Sequence, residues 1–376
     1  MKKIALIGST GSIGVQTLNV VRRNPQKFKI VSMAAGGNAD LFYKQVEEFS
    51  PAVATLQNQP NWTDKFPSTE FFFGENAFTN AVIKEADIVV IALVGFKGII
   101  AVLEAIKNGK DIALANKESL VVGGELVMKL AKEKGVKIYP IDSEHSAIWQ
   151  SLSFDFNKPF NKLILTASGG AFRDLTKEQL KTVTAKDALK HPNWAMGDKI
   201  TIDCASLVNK AFEVIEAKWL YNAPFDKIDV IIHRESIIHS MVEYFDGSVI
   251  AQMSYPTMEI PIALALEPTQ RLKSNVNSLD FAKLKNLTFS EVDKVKYPCF
   301  DLVVNAGKRG GCYPAVANGA NEVAVKLFLQ NKIKFTDIYK AIAFSLDNFK
   351  DYQKCDFSDY QNADEYARKS VLDLFS

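Results

Sequence analysis

Asp142, Ser143, Glu144 and His145 stand in an unbroken row just after the strand-like run VKIYPI. Four adjacent polar groups cannot all face a core, and a solvated turn is their ordinary meaning. Two carboxylates one residue apart can also do chemistry: at an extended strand end Asp142 and Glu144 face the same way and can share a cation. Their hard oxygens suit Mg2+ or Mn2+ and leave positions open for water and substrate. A third ligand has to come from elsewhere. The stretch TIDCASLVNKAFEVIEAKWL offers one, because Asn209, Lys210 and Glu213 fall at i, i+1 and i+4 and put Asn209 and Glu213 on one helix face. Ser206, Asn209 and Lys210 near that helix start also suit an anion such as phosphate. The competing reading is a solvated charged face beside an apolar one.

Three further stretches carry chemistry. In GSTGSIG, Gly8, Gly11 and Gly14 lie between a strand and a helix at the start of the chain, where a Rossmann fold turns backbone N–H groups toward a pyrophosphate. The spacing is GxxGxxG instead of GxGxxG, and a tight turn with close helix packing would use the same glycines. The next strand ends in SMAAGGN, with no Asp or Glu to accept from ribose hydroxyls, which favours NADP(H) over NAD. ANKESL follows a strand at the carboxyl edge of the same sheet; Lys117 could hold a polar substrate there, or Asn116 and Glu118 could simply start a helix. ASGGAFR adds Ser168 and two glycines able to wrap an oxyanion. HPNWAMG combines His191, Trp194 and Met196 in a Pro/Gly segment, as a water-excluding lid requires, although a loop with a buried Trp has the same composition.

These groups need a scaffold. Through residue 141, β-branched runs alternate with helical periods: KIALIG, KIVSMAA, DIVVIAL, DIALA and VKIYPI read as strands of a parallel sheet. Ile99, Val102, Leu103 and Ile106 recur at helical spacing, with Gly109 placed to end that helix in a left-handed conformation. The rhythm then changes to IDVIIH, SMVEYF and SVIAQMSY, with FDGSV as a hairpin, which predicts an antiparallel α+β domain. The expected organisation is α/β: an N-terminal Rossmann-like doubly wound sheet over 1–141, a central α+β catalytic and dimerisation domain over 142–266 with a flap near 186–198, a linker over 267–295 and a C-terminal helical domain over 296–376. In the last of these Ile338, Ile342, Leu346 and Phe349 share a face.

The chain has 376 residues, 47% hydrophobic and 23% charged, enough for more than one core and far from a disordered composition. Lys+Arg number 45 and Asp+Glu 43, too even a balance for the basic face that nucleic acid demands. No apolar run reaches the length of a membrane span, and the apolar start is broken by glycines too soon for a signal peptide. Cys204, Cys299, Cys312 and Cys355 lack metal or redox spacing, so the expected setting is a reducing cytoplasm.

GSTGSIG, ANKESLV, DSEHSAIWQ, SGGAFR, HPNWAMG, KITIDCASLVNKAFE and PAVANGANEVAVKLF occur in this order, and together they resemble the 1-deoxy-D-xylulose 5-phosphate reductoisomerase family. The resemblance runs from residue 4 to about 345. It implies a V-shaped homodimer with an N-terminal NADPH domain, a central domain with a mobile flap and a helical C-terminal domain. It also implies the reaction: retro-aldol cleavage and aldol rejoining of 1-deoxy-D-xylulose 5-phosphate, then reduction by NADPH to 2-C-methyl-D-erythritol 4-phosphate, an early step toward isoprenoid precursors.

Carried over by position, Asp142, Glu144 and Glu213 resemble the ligands of a divalent cation. Lys117, Glu144, Glu213 and His191 match catalytic positions, and Lys117, Ser143 and Glu144 contacts to the sugar backbone. Ser168, Cys204, Asn209 and Lys210 match contacts to the phosphate end or to hydroxyls, and His191, Trp194 and Met196 match the flap. Thr10, Gly11, Ser12, Ile13, Gly36, Gly37, Asn38, Asn116, Glu118 and Gly197 match NADPH contacts. His145 carries no role over and is expected either to support the ligand residues from behind or to be structural. Three positions depart from the pattern. Cys204 stands where a phosphate-binding serine is usual, and Gly37 where a basic residue often meets the 2′-phosphate. His233 to Ser236 (HRES) replace the usual Pro-Gln region. Two other readings stay open on the residues alone: a plain NADP-dependent dehydrogenase or semialdehyde reductase, which would need no acidic trio, and an NADP(H)-sensing protein that binds without turnover.

Overall fold

Strands apolar on both faces belong in the middle of a parallel sheet, and the first strand of this chain, KIALI after its leading lysine, is such a run. The computed structural model describes residues 1–190, 196–350, 352 and 355–376. It divides into two compact units, one of Met1–Ser119, Val127–Ser146 and Thr257–Val276, the other of Leu120–Leu126, Ala147–Pro256 and Asn277–Ser376.

In the first unit, β1 (Lys2–Ile7), β2 (Phe28–Ala34), β3 (Val53–Leu56), β4 (Glu70–Phe73), β5 (Ile88–Ile91), β6 (Asp111–Leu114) and β7 (Ile138–Pro140) form one sheet in the order β4-β3-β2-β1-β5-β6-β7. All its pairings are parallel. The order reverses at β1, which lies between β2 and β5, so the carboxyl end of β1 is the switch point where ligands bind in such sheets. The helices α1 (Ser12–Arg23), α2 (Ala39–Phe49), α3 (Lys97–Lys107) and α4 (Glu118–Lys134) supply the crossovers, and α5 (Ser143–Ser151) follows β7. Ile4, Leu6, Ile30, Met33 and Val90 from the strands and Leu18 and Val21 from α1 form the core. Each such side chain, fully buried, stabilises by about 1.5–3 kcal/mol. Gly109 has φ +63°, as a left-handed stop to α3 requires.

The second unit holds α6 (Ala185–Ala188), α7 (Asp198–Ser206) and α8 (Val208–Leu220), and a sheet of β8 (Lys162–Ala167), β9 (Ile228–Ile232), β10 (Ile238–Glu243), β11 (Val249–Met253) and β12 (Ser290–Glu291). The expectation of a purely antiparallel sheet is corrected here. The order is β11-β10-β8-β9-β12, and β8 pairs with β9 in parallel while the other pairings are antiparallel. The helices between β8 and β9 provide the crossover that a parallel pair needs. The FDGSV turn joins β10 to β11 as the sequence predicts.

Three more segments refine the boundaries read from the sequence. α9 (Glu259–Leu266), nearly all apolar, belongs to the first unit: Ile262, Ala265 and Leu266 join its core, Arg23 bonds Glu259 at 2.8 Å, and Lys2 donates to the Leu266 carbonyl at 2.6 Å. The 267–295 stretch is not bare linker, since it contains α10 (Phe281–Leu284) and β12, the edge strand on β9. The helices α11 (Pro298–Arg309), α12 (Tyr313–Leu329), α13 (Asp337–Asp347) and α14 (Phe357–Leu374) cluster within the second unit together with the mixed sheet. Among the described residues no helix is long and apolar enough to cross a membrane.

Candidate functional site

Backbone geometry decides the glycine loop of the first unit. Gly8 has φ +96°, and a Cβ there would lie 2.6 Å from the Ala92 carbonyl oxygen; one on Gly14 would lie 2.2 Å from the Gly8 oxygen. Only glycine lets β1 turn directly into α1 at this closeness. α1 then begins at Gly11 with no side chain capping it, so its first N–H groups are available to an anion. Gly11 and Ser12 are exposed, Thr10 and Ile13 half-buried, and Gly36, Gly37 and Asn38 exposed beyond β2. These positions fit a dinucleotide phosphate: donors at a helix N-terminus, glycine clearance, and no carboxylate at the end of β2. The Asn38 side chain also accepts from Leu41 N at 3.2 Å, capping α2.

Asn116 is built deeply into the same unit. Its amide donates to the carbonyls of Leu93 (3.1 Å) and Gly95 (3.0 Å) and to Glu118 (3.1 Å), and its oxygen accepts from Ser119 N at 3.0 Å. Asn116 thus ties the ends of β5 and β6 and caps α4, as the helix-start reading expects. Lys117 is 7% exposed and its Nζ meets Asp142 Oδ2 at 2.5 Å.

The row at 142–145 corrects one expectation. Asp142 and Glu144 are not on an extended strand end, because β7 stops at Pro140 and α5 starts at Ser143. The Asp142 carbonyl already accepts from Ser146 N at 2.8 Å, the first bond of the helix. Glu144 falls in the first turn, where a carboxylate is favoured by the helix dipole. Ser143 Oγ donates to Glu144 Oε2 at 2.5 Å. His145 is wholly buried.

In the second unit α7 and α8 meet at Leu207, a non-glycine residue at φ +58°. Such a left-handed leucine costs free energy and persists where the surroundings impose it. The corner sets Asn209 and Lys210 in the first turn of α8 and Glu213 one turn on. Asn209 Nδ2 donates to Glu213 Oε1 at 2.6 Å, and the Lys210 ammonium donates to Glu213 Oε2. Asn209, Lys210 and Glu213 are 8%, 3% and 1% exposed, so the solvated-face reading fails for this stretch. Ser168 is half-buried in the loop after β8, and its Oγ accepts from Gly170 N at 3.2 Å. Gly170 has φ +68°, and a Cβ there would lie 2.5 Å from the Cys204 carbonyl oxygen, so the loop rests directly on the backbone of α7. Cys204 and Met196 are half-buried and Gly197 is exposed at the start of α7. His191 and Trp194 lie outside the described residues.

Several participants escaped the sequence reading. Asp203, 1% exposed on α7, pairs with Lys199 at 2.7 Å and accepts from Asn321 of α12 at 2.8 Å. Tyr297 donates its hydroxyl to the Gly169 carbonyl at 3.1 Å, and burial pushes that phenol up to about 12. Arg173 donates to the Arg234 carbonyl at 2.9 Å, and Lys296, lowered by burial, donates to the Arg173 carbonyl at 2.8 Å. These groups brace the Ser168 loop from three separate stretches of chain. His233 is wholly buried, with Nε2 accepting from Ile237 N (3.2 Å) and Ile238 N (3.1 Å), so the HRES departure has a structural use.

Comparison with known proteins accounts for most of the chain. Residues 4–124 match the family profile described as 1-deoxy-D-xylulose 5-phosphate reductoisomerase, residues 138–221 the C-terminal domain of that reductoisomerase, and residues 253–370 the DXP reductoisomerase C-terminal domain. The 1-deoxy-D-xylulose 5-phosphate reductoisomerase of Caldanaerobacter subterraneus is 48% identical over 99% of both chains, and that of Chlorobaculum tepidum 46% identical over the whole of both. Among solved structures, the reductoisomerase from Zymomonas mobilis in complex with NADPH superposes with TM-score 0.92 at 36% identity, covering 100% of this chain and 99% of that one. A DOX-P reductoisomerase in complex with NADPH, fosmidomycin and magnesium gives TM-score 0.94 at 36% identity, covering 100% and 98%.

Proposed function

This chain belongs to the 1-deoxy-D-xylulose 5-phosphate reductoisomerase family, and we propose that it converts 1-deoxy-D-xylulose 5-phosphate to 2-C-methyl-D-erythritol 4-phosphate by retro-aldol and aldol steps followed by NADPH reduction. The observation that carries this reading is likeness over the full length, with the glycine loop, the acidic row and α8 all built as that reaction needs. A plain dehydrogenase would have no use for these three carboxylates, Asp142 and Glu144 half-buried and Glu213 buried.

The divalent cation is assigned to Asp142, Glu144 and Glu213. The residues fit it: all three donors are hard carboxylate oxygens, and none of the three residues is exposed. Lysine ammonium groups already meet two of them, Lys117 on Asp142 and Lys210 on Glu213. When bound, the cation supplies Lewis-acid polarisation of the substrate's oxygens and the nicotinamide supplies the hydride. The protein's own groups do the rest. Lys117 and Ser143 orient the sugar hydroxyls and hold the carboxylates in place. Asn209 and Lys210 hold Glu213 fixed in direction, which lowers the reorganisation needed during reaction. Ser168, Cys204, Asn209 and Lys210 receive the phosphate end. His191, Trp194 and Met196 cover the substrate and exclude water. Thr10, Gly11, Ser12, Ile13, Gly36, Gly37, Asn38, Asn116, Glu118 and Gly197 face NADPH.

A homodimer formed through the mixed sheet belongs to the same proposal. β11 is an edge strand with Val249 and Ile250 each 47% exposed and Phe245 of the preceding turn 73% exposed, an apolar edge that a second copy would cover. A cytoplasmic setting belongs to the same proposal, on the ground that the four cysteines lack metal or redox spacing.

The test is the fall of nicotinamide absorbance when 1-deoxy-D-xylulose 5-phosphate is added to protein and NADPH. We expect consumption that a chelator stops and magnesium restores. Undiminished turnover in chelator contradicts the cation assignment, and NADPH binding without turnover favours a sensing protein.

A further inference from the structure

Two sulfurs far apart in the sequence meet in the helical part of the second unit. Cys312 Sγ lies 2.8 Å from Cys355 Sγ, across a sequence separation of 43 residues. A disulfide is about 2.05 Å long, so roughly one ångström or less of side-chain movement separates this pair from a bond. Cys312 is the residue just before α12 and Cys355 stands two residues before α14. Each thiol therefore lies at the N-terminal end of a long helix, of 17 and 18 residues. The backbone at Cys355 is held by a reciprocal cap: Asp359 N donates to Asp356 at 3.1 Å and Asp356 N to Asp359 at 3.0 Å. The two thiols differ in access, Cys312 being wholly buried and Cys355 half-buried.

We propose that Cys312 and Cys355 form a modification site, a dithiol that a hydroperoxide oxidises to an intramolecular disulfide. The accessible Cys355 thiolate attacks the terminal peroxide oxygen. The O–O bond breaks, an alcohol or water leaves, and Cys355 becomes a sulfenic acid. Cys312 then attacks that sulfur, forming the S–S bond and expelling water. Two electrons pass from the two thiols to the peroxide, and both thiol protons end in the products. The bond would tie the start of α12 to the start of α14 and close the loop that contains α13. Cys299 does not compete, because burial, with Asp203 nearby, pushes its thiol up to about 12.

The test treats the full chain with hydrogen peroxide, then counts thiols after denaturation and maps peptides without reductant. Expected are a fall from four thiols to two, a cross-linked peptide pair containing Cys312 and Cys355, and return to four with a reductant. In Cys312→Ser the reaction should halt at a sulfenic acid on Cys355 that dimedone traps. In Cys355→Ser no intramolecular bond should form and dimedone should leave Cys312 unlabelled. Four surviving thiols, a cross-link through Cys204 or Cys299, or a bond between two chains would overturn the proposal.

Discussion

Each unit sets an acid against a buried lysine, and they do so by different routes. In the second unit Glu213 finds Asn209 and Lys210 on its own helix, within four residues. In the first, Asp142 finds Lys117 across the sheet, from the end of a neighbouring strand. The helical trio is set by local geometry and survives any disturbance that leaves α8 intact. The sheet pair depends on the register of β6 against β7 and on Asn116, which ties the strand ends together.

Substitutions can break or sharpen this contrast. The largest effect is expected for Glu213→Gln: loss of turnover on the order of 10³-fold, with the circular dichroism of the folded chain unchanged, because only one preorganised charge is removed. Lys117→Ala should follow, with a loss of about 10²-fold and a lower melting temperature, since Asp142 would keep a largely buried charge without its ammonium. Calorimetry should show a lower melting temperature in both variants, since Glu213→Gln likewise leaves the buried Lys210 ammonium without its carboxylate.

Next come two glycines, one in each unit. Gly14→Ala puts a methyl 2.2 Å from the Gly8 oxygen and should raise the KM for NADPH about 10-fold while that for the sugar phosphate holds. Gly170→Ala strains a residue at φ +68° against α7 and should do the reverse. Steady-state kinetics with each substrate varied in turn checks both, and a common shift of the two KM values would remove the division of labour. The smallest effect belongs to Cys204→Ser, with the KM for sugar phosphate unchanged within about 2-fold or lower, because a hydroxyl is the better donor. A large rise would give the thiol another task.

The same contrast explains what could be read from the sequence. The Asn209, Lys210 and Glu213 face was legible because helical spacing alone makes it. The glycine loop was legible because a strand, three glycines and a helix start occur together. α5 was missed because a polar row after a strand looks like the strand's end, although Pro140 already stops β7. β8 was passed over although it lies in the middle of the second sheet, and α6, α7 and α8 stand between it and its parallel partner β9. Asp203 carried no local signal, since its partner Asn321 lies 118 residues away. The charges on Arg173, Arg234 and Lys296 read as surface until the fold gathers them around one loop.

The central proposal is that Asp142, Glu144 and Glu213 hold a single cation. Binding of Mn2+ to the complete chain, followed by electron paramagnetic resonance, tests it most directly. One ion per chain should bind, and Asp142→Asn and Glu213→Gln should each weaken that binding by a similar, large factor. Full binding retained in either variant, or two independent ions each lost in only one of them, would contradict it.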